Sequence, residues 1–443
     1  MLLPMVRLAP LFRLDTSCLR ALRFTPSMDA TESSEMTDMD GQLDAVVVGA
    51  GWAGLAVSHG LKAAGLRHVV FEKHRVCETW RTQRWNSFRM NTPNIQTVMP
   101  GDTYAGNDPE GFLTRDGFVE MVEAYWQRHA LPVRTTTPVT EVRPVSTGGF
   151  ELVTPGGITR TQHVVIASGN LNVPKRPSSA ALLPETVTQM DGSAYREASQ
   201  LRAGAVLVIG CGNSGGQIAE DLARSGRNVF LATGHNGRIP RRYRGRDIVL
   251  WLTDNGGMSR PRTSSTGRPL LGATHTISLQ SLSAQGIVML GRFETANSAG
   301  NMMFADDLHE NARFADQVSA EIRGEIDAYI ELKGLSTPVA EVDSAESVAA
   351  RFPDPPIRSL DLVSRGISTV IWCIGFTGDF SWVRISGAID HQGNPVQQRC
   401  LSVPGVYFAG LDTSESMRSG TILVAEEEAR RIANHIAAQH RVD

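Results

Sequence analysis

Three glycines, Gly49, Gly51 and Gly54, follow the β-branched run Asp44-Ala-Val-Val-Val and open a helical pattern. In a G-x-G-x-x-G turn the first glycine permits a tight bend and the second lets the backbone approach a pyrophosphate. The third allows close packing of helix on strand. The diphosphate then rests on amides at a helix N-terminus, where the dipole favours negative charge. A second apolar run, His68-Val-Val-Phe, ends in Glu72. A carboxylate at that strand tip accepts both ribose hydroxyls and repels a 2′-phosphate, so this site suits FAD or NAD.

The same pattern returns further along the chain. Ala205-Val-Leu-Val-Ile leads into Gly210, Gly212 and Gly215, with Asn213 and Ser214 between them. The next strand, Asn228 to Thr233, ends without an acid, and Arg238, Arg241, Arg242, Arg244 and Arg246 follow. A missing carboxylate and added guanidinium groups are what a ribose 2′-phosphate requires, because arginine binds phosphate in a bidentate fork. The second site therefore suits NADPH, with Arg238, Arg241 and Arg242 as candidate phosphate contacts; the plainer reading of these arginines is a solvated loop. Two dinucleotide sites in one chain imply that a nicotinamide reduces a flavin, which passes the electrons onward.

The elements that must position these turns are strand–turn–helix–strand units, so the fold class is α/β. At 443 residues the chain has room for two domains. A net charge of −3 gives no basic surface for nucleic acid. The five cysteines are scattered without C-x-x-C or zinc-like spacing, so neither a disulfide scaffold nor a metal site is expected, and a reducing cytoplasm fits best. The stretch Ala45 to Val57 is too short to span a bilayer. Residues 1–40, Arg-rich but broken by Pro4 and Pro10, read as a disordered or overextended N-terminus outside the fold.

With those motifs in view, the chain resembles the flavin-containing monooxygenases, in their bacterial and YUCCA-like branches, from about Leu43 to Ile436. The resemblance is carried by the first glycine triplet, Trp80-Arg81-x-x-Arg84-Trp85-Asn86-Ser87-Phe88 and Thr92-Pro93-Asn94. Ile166-Ala-Ser-Gly169, the turn at Gly210, and Pro240-Arg-Arg-Tyr-Arg-Gly-Arg-Asp247 add to it, as do Ile371 to Phe376 and Gly405 to Asp412. It implies two doubly wound Rossmann-like dinucleotide-binding domains, the NADPH domain inserted in the FAD domain. The expected divisions are 41–200 and 336–443 for FAD and 201–335 for NADPH, with crossings near Ala167–Gly169 and Ile374–Gly375. Two departures stand out: Asp191 occupies the place of the family's fingerprint histidine, with Tyr195 as its aromatic, and Cys77-Glu78 replaces a double glycine.

The resemblance further implies FAD and NADPH as cofactors and a C4a-(hydro)peroxyflavin that gives one oxygen atom of O2 to a small organic substrate. Asn94, with Thr92 beside it, is the candidate catalytic polar residue, with Asn91 an alternative register. Asn94 as a residue fixing its own turn is the plainer reading. Trp80, Gly169, Gly410 and Asp412 are further candidate cofactor contacts, whereas Trp85 reads as packing. Other readings of the same sites are an NADPH oxidase or reductase, or a non-catalytic flavin redox sensor or transport regulator. A disulfide reductase would need a second cysteine near Cys77. No transmembrane segment and no nucleic-acid partner are expected, and a homodimer is left open.

Overall fold

The computed structural model describes residues 43–262 and 268–440; the expectation for residues 1–40, and Cys18 with it, lies outside them. The first sheet begins with β1 (Leu43–Val48), β2 (His68–Phe71), β3 (Val133–Arg134), β4 (Glu141–Pro144), β5 (Phe150–Thr154) and β6 (Gly157–Ile166), in the order β3-β2-β1-β6-β5-β4. β1 lies between parallel partners β2 and β6, and Val46 and Val47 on its two faces are both fully buried. Burial on both faces is why this strand reads as a continuous apolar run rather than an alternating one. β4 and β5 form an antiparallel excursion on the N-terminal half of β6. Helices α1 (Trp52–Ala63), α2 (Glu78–Thr82) and α3 (Arg115–Arg128) lie in the connections around β2.

Beyond β7 (Val173–Pro174) a second sheet starts with β8 (Thr188–Asp191), β9 (Ala205–Ile209) and β10 (Val229–Ala232), with α4 (Asn213–Arg224) between the last two. A two-stranded hairpin, β11 (Arg242–Tyr243) and β12 (Arg246–Asp247), turns through Arg244 and Gly245, both at positive φ, as a two-residue type I′ hairpin requires. Then come α5 (Ile248–Asp254), α6 (Leu279–Ala284), β13 (Val288–Leu290) and an antiparallel trio, β14 (Phe293–Ala296), β15 (Asn301–Phe304) and β16 (Ser359–Asp361). Between β15 and β16 run α7 (Leu308–Lys333) and the single turn α8 (Ser344–Ser347). β17 (Ile367–Trp372) completes a parallel sheet of order β13-β10-β9-β17-β8.

The chain returns through β18 (Phe376–Thr377), which pairs antiparallel with β7. β19 (Val406–Phe408) then joins β6 along Val164–Ile166, and α9 (Ala425–Gln439) closes the chain. α9 lies close on α1: a Cβ at Gly60 would sit 3.1 Å from the Ala429 carbonyl oxygen.

This topology corrects the expected divisions at 201 and 335. β8 and β17 lie outside those limits, yet both pair in the second sheet. Thr188-Gln-Met-Asp is too polar to read as a strand, and β17 is assigned by its register against β9, which no local pattern carries. The paired segments β7 and β18 are where the chain passes between the sheets, directly after the Ala167–Gly169 and Ile374–Gly375 turns.

Candidate active site

The two glycine turns have the same stereochemistry. Gly49 and Gly210 are at φ 108° and 102°, and a Cβ on either would lie 2.6 Å from a carbonyl oxygen, of Ala167 or Cys373 respectively. Gly54 and Gly215 are equally constrained, because a Cβ there would overlap the carbonyl of the first glycine. The middle glycines differ. Around Gly51 and Gly212 nothing lies within 4 Å of a Cβ position, so their side is open to a ligand. Neither α1 nor α4 has a side-chain cap, whereas α3, α5 and α6 are capped by Thr114, Asp247 and Ser278. Helix N-termini left uncapped beside an open glycine fit a diphosphate.

Glu72 is buried at the tip of β2. One oxygen accepts the Ala50 amide at 2.8 Å and the other the His74 amide at 2.9 Å. Each oxygen keeps a lone pair, so the carboxylate can still accept ribose hydroxyls. Cys77 follows in a left-handed conformation, its amide donating to the Ala50 carbonyl. Trp80 packs against Phe118 and Phe88 at centroid distances of 4.4 and 5.8 Å, with the Arg84 guanidinium over its ring at 4.7 Å. Trp85 is buried edge-on to Phe88. Trp80 is thus held in an aromatic cluster behind the first turn.

The Asn91–Asn94 loop bridges the two nucleotide units. Asn94 is buried; its amide nitrogen donates to the Asp108 carbonyl at 2.9 Å and its side-chain oxygen has no partner. That side chain fixes the loop to the Asp108–Gly111 turn, which also receives the Asn94 backbone amide through the Gly111 carbonyl. Thr92 is buried, and its carbonyl accepts the Thr97 hydroxyl at 2.9 Å. These bonds fix the loop that carries both candidate catalytic residues. Asn91 is different: half-buried, it accepts the Gln217 side-chain amide on Oδ1 at 3.2 Å, while its Nδ2 has no partner among the described residues.

The framework of two nucleotide turns has a counterpart in known proteins. Residues 46–252 match the family model described as pyridine nucleotide-disulphide oxidoreductase. An uncharacterized CzcO-like oxidoreductase of Geobacillus kaustophilus is 28% identical over 400 residues, 89% of this chain and 98% of that protein. Indole-3-pyruvate monooxygenase YUCCA1 of Oryza sativa subsp. japonica is 29% identical over 185 residues, 41% of this chain and 45% of its own. A solved flavin-containing monooxygenase from Stenotrophomonas maltophilia superposes with a TM-score of 0.64 over 90% of this chain and 99% of its own, at 18% identity. The chain is thus similar to flavin-containing monooxygenases in fold, and the matched residues 46–252 include both glycine turns. It is an oxidoreductase.

The candidate phosphate-binding arginines all have acidic partners in the structure. Arg238 is buried, donating to Asp316 at 2.6 Å and to Glu346 at 2.7 Å. Arg241 is buried against Asp247 at 2.6 Å and donates to the Asn91 carbonyl at 3.0 Å. Arg242 pairs with Glu110, Arg244 with Asp327 and Arg246 with Asp254. Each of these five arginines is paired with an acid among the described residues, Arg238 and Arg241 being buried and Arg242 exposed. Asp316 and Asp327 lie on α7, whose charges read from sequence as a solvated face. The missing acid after β10 still favours NADPH over NADH.

Asp412 is also paired. Its carboxylate is held by Arg262 and, at 2.7 Å, by Arg268, and its amide donates to Asn170 Oδ1 at 2.9 Å. The chain at 258–262 runs beside 414–418, with backbone bonds from Arg262, Met417 and Arg418, which brings Arg262 to that acid. Its side chain fastens the 258–262 and 268 segments to the segment before the last helix. Gly410, at φ 71°, packs against Ala53 on α1 and donates its amide to the buried Glu428 at 2.7 Å. Gly169, also at positive φ, lies in the first crossing, and Asn213 and Ser214 open α4.

Asp191, at the end of β8, is paired with Arg176 at 2.6 Å. Tyr195 is fully buried and donates its hydroxyl to Asp221 on α4. Sequence reading missed Gln217, Asp221, Arg262 and Arg268. All four act across more than 100 residues or across a helix face, and no spacing rule marks them.

Proposed function

We propose that the chain is an FAD-dependent, NADPH-using monooxygenase acting on a small organic substrate. The observation that carries this reading is the pair of matching open turns, at Gly51 and Gly212, joined by one bridging loop. The domain reading follows: an FAD domain of two segments, with a Rossmann-like NADPH domain inserted between β7 and β18. When bound, FAD reduced by NADPH supplies oxygen activation, giving one atom of O2 to the substrate and the other to water. The chain's part is to hold both nucleotides, keep water out and offer a hydrogen bond at the reacting centre. Asn91 is our candidate for that hydrogen bond, since its Nδ2 has no partner among the described residues while its Oδ1 is held.

A dithiol mechanism has little support. Burial pushes Cys77 up to about 12, Cys211 to about 11 and Cys373 to about 12, and raises Cys400 as well. All four described cysteines are free thiols, and thiols so raised are poor nucleophiles near neutral pH. The Asp191–Arg176 pair, standing where the family has histidine, favours one second reading, an NADPH oxidase. Anaerobic NADPH titration of the purified yellow protein, followed by oxygen admission with candidate amines, sulfides and ketones, separates these outcomes. Substrate-dependent transfer of 18O from O2 supports the monooxygenase; one H2O2 per NADPH with every substrate sinks it in favour of the oxidase. Among the described residues no helix is long and apolar enough to cross a membrane.

A further inference from the structure

We propose that Gln217 is a positioning residue that couples occupation of the NADPH turn to the placement of Asn91. The proposal rests on the reading of Asn91 given above. Gln217 lies on α4, the helix that opens at the Gly212 turn, and is itself buried. Its Nε2 donates to two acceptors, Asn91 Oδ1 at 3.2 Å and the Leu271 carbonyl at 2.9 Å. The Leu271 amide in turn donates to Oδ1 of Asn213, the first residue of α4, at 2.7 Å. Arg241 completes the frame: its Nη1 donates to the Asn91 carbonyl at 3.0 Å and lies 3.3 Å from the carbonyl of Gly272, next to Leu271.

Asn91 thus has its side-chain oxygen and its backbone oxygen held from the NADPH unit, by two residues that share the 271–272 segment. Asn213 is the residue of that frame closest to a bound diphosphate, because it follows Gly212 at the helix N-terminus. Fixing Asn213 fixes Leu271, Leu271 orients Gln217, and Gln217 holds Asn91 Oδ1, leaving Nδ2 without a partner among the described residues. A side-chain amide has its oxygen and nitrogen on one rigid plane, so holding Oδ1 sets where Nδ2 donates. The orientation matters in the leak reaction, in which NADPH, H+ and O2 give NADP+ and H2O2. A correctly aimed donor slows peroxide loss until substrate takes the oxygen atom.

The test uses the holoprotein without substrate, measuring peroxide release under air and flavin reduction under argon. Gln217→Met removes the donor at nearly the same volume, and Gln217→Glu keeps the shape while replacing donor by acceptor. Either variant is expected to raise peroxide release about fivefold to tenfold, the rate equivalent of one neutral hydrogen bond. Anaerobic reduction by NADPH should stay within about twofold, because the hydride path does not involve Asn91. Asn91→Ala should match the Gln217 variants, and the double variant should add nothing. Hydrogen exchange on the flavin-free protein gives a second readout. NADP+ should slow exchange over residues 91–97 in the parent and fail to do so in Gln217→Met. Peroxide release unchanged in both Gln217 variants while Asn91→Ala leaks would overturn the proposal. Unchanged release in Asn91→Ala would instead overturn the donor role of Asn91. Exchange alone then decides the coupling: protection lost in Gln217→Met sustains it, protection retained overturns it.

Discussion

The phenol of Tyr195 donates to Oδ2 of Asp221 at 2.6 Å, and the other carboxylate oxygen accepts the Ser87 hydroxyl at 2.5 Å. One acid on α4 thereby ties the segment after β8 to the segment after α2, so the two nucleotide units share a fastening at their boundary. Burial and the Asp221 carboxylate both raise the Tyr195 pKa, keeping it a neutral donor. Tyr195→Phe is expected to lower stability by about 2 kcal/mol, the range for a hydrogen bond to a charged group. Thermal melts of the holoprotein check this, and an unchanged midpoint would contradict the fastening.

The glycines of the FAD turn should separate into two phenotypes. Gly51→Ala introduces a Cβ into open space, so the protein folds normally but is isolated colourless. Gly54→Val collides with the Gly49 carbonyl and is expected to fail before cofactor binding matters. Soluble yield, far-UV circular dichroism and bound flavin per chain distinguish the two; full flavin content in Gly51→Ala would remove the assigned site.

Arg238 offers a direct test of its ion-pair role against a phosphate-binding one. Its guanidinium is buried between Asp316 and Glu346, so Arg238→Met leaves those acids without their shared cation. A loss of about 3 kcal/mol is expected, as for other broken buried ion pairs. The ratio of kcat/KM for NADPH over NADH should stay within about twofold of the parent, because the guanidinium is already held by its two acids. A collapse of that ratio in folded protein would favour the phosphate role instead.

Glu428 predicts a pH dependence. Burial pushes its carboxyl up from 4.5 to about 7, against the pull of the Gly410 amide. Between those values the native state binds more protons than the unfolded chain, so this group makes stability fall as pH rises through that window. Glu428→Gln keeps an acceptor for Gly410 and removes the titration. Its melting temperature should rise relative to the parent between pH 5 and pH 8, by the equivalent of about 3 kcal/mol at most. Parallel pH profiles in the two proteins would show that Glu428 does not titrate there.

By itself the sequence determined the two turns. Gly49, Gly51, Gly54 and Gly210, Gly212, Gly215 act within one strand–turn–helix unit, where spacing alone dictates which position must bend, open or pack. Glu72 was legible for the same reason, as the tip of the adjacent strand. Tertiary structure decided everything that depends on partners distant in sequence. The arginines after β10 look alike in sequence, but Arg238 finds acids on α7 and α8, and Arg241 finds Asp247 and the Asn91 loop. Asp412 reads as a cofactor acid, and the folded chain brings Arg262 and Arg268 to it from 150 and 144 residues away. The polar strand β8 joins the second sheet only through its register with β17. Charge pairing and strand pairing are satisfied by whatever the folded chain brings near, and local spacing carries no record of that.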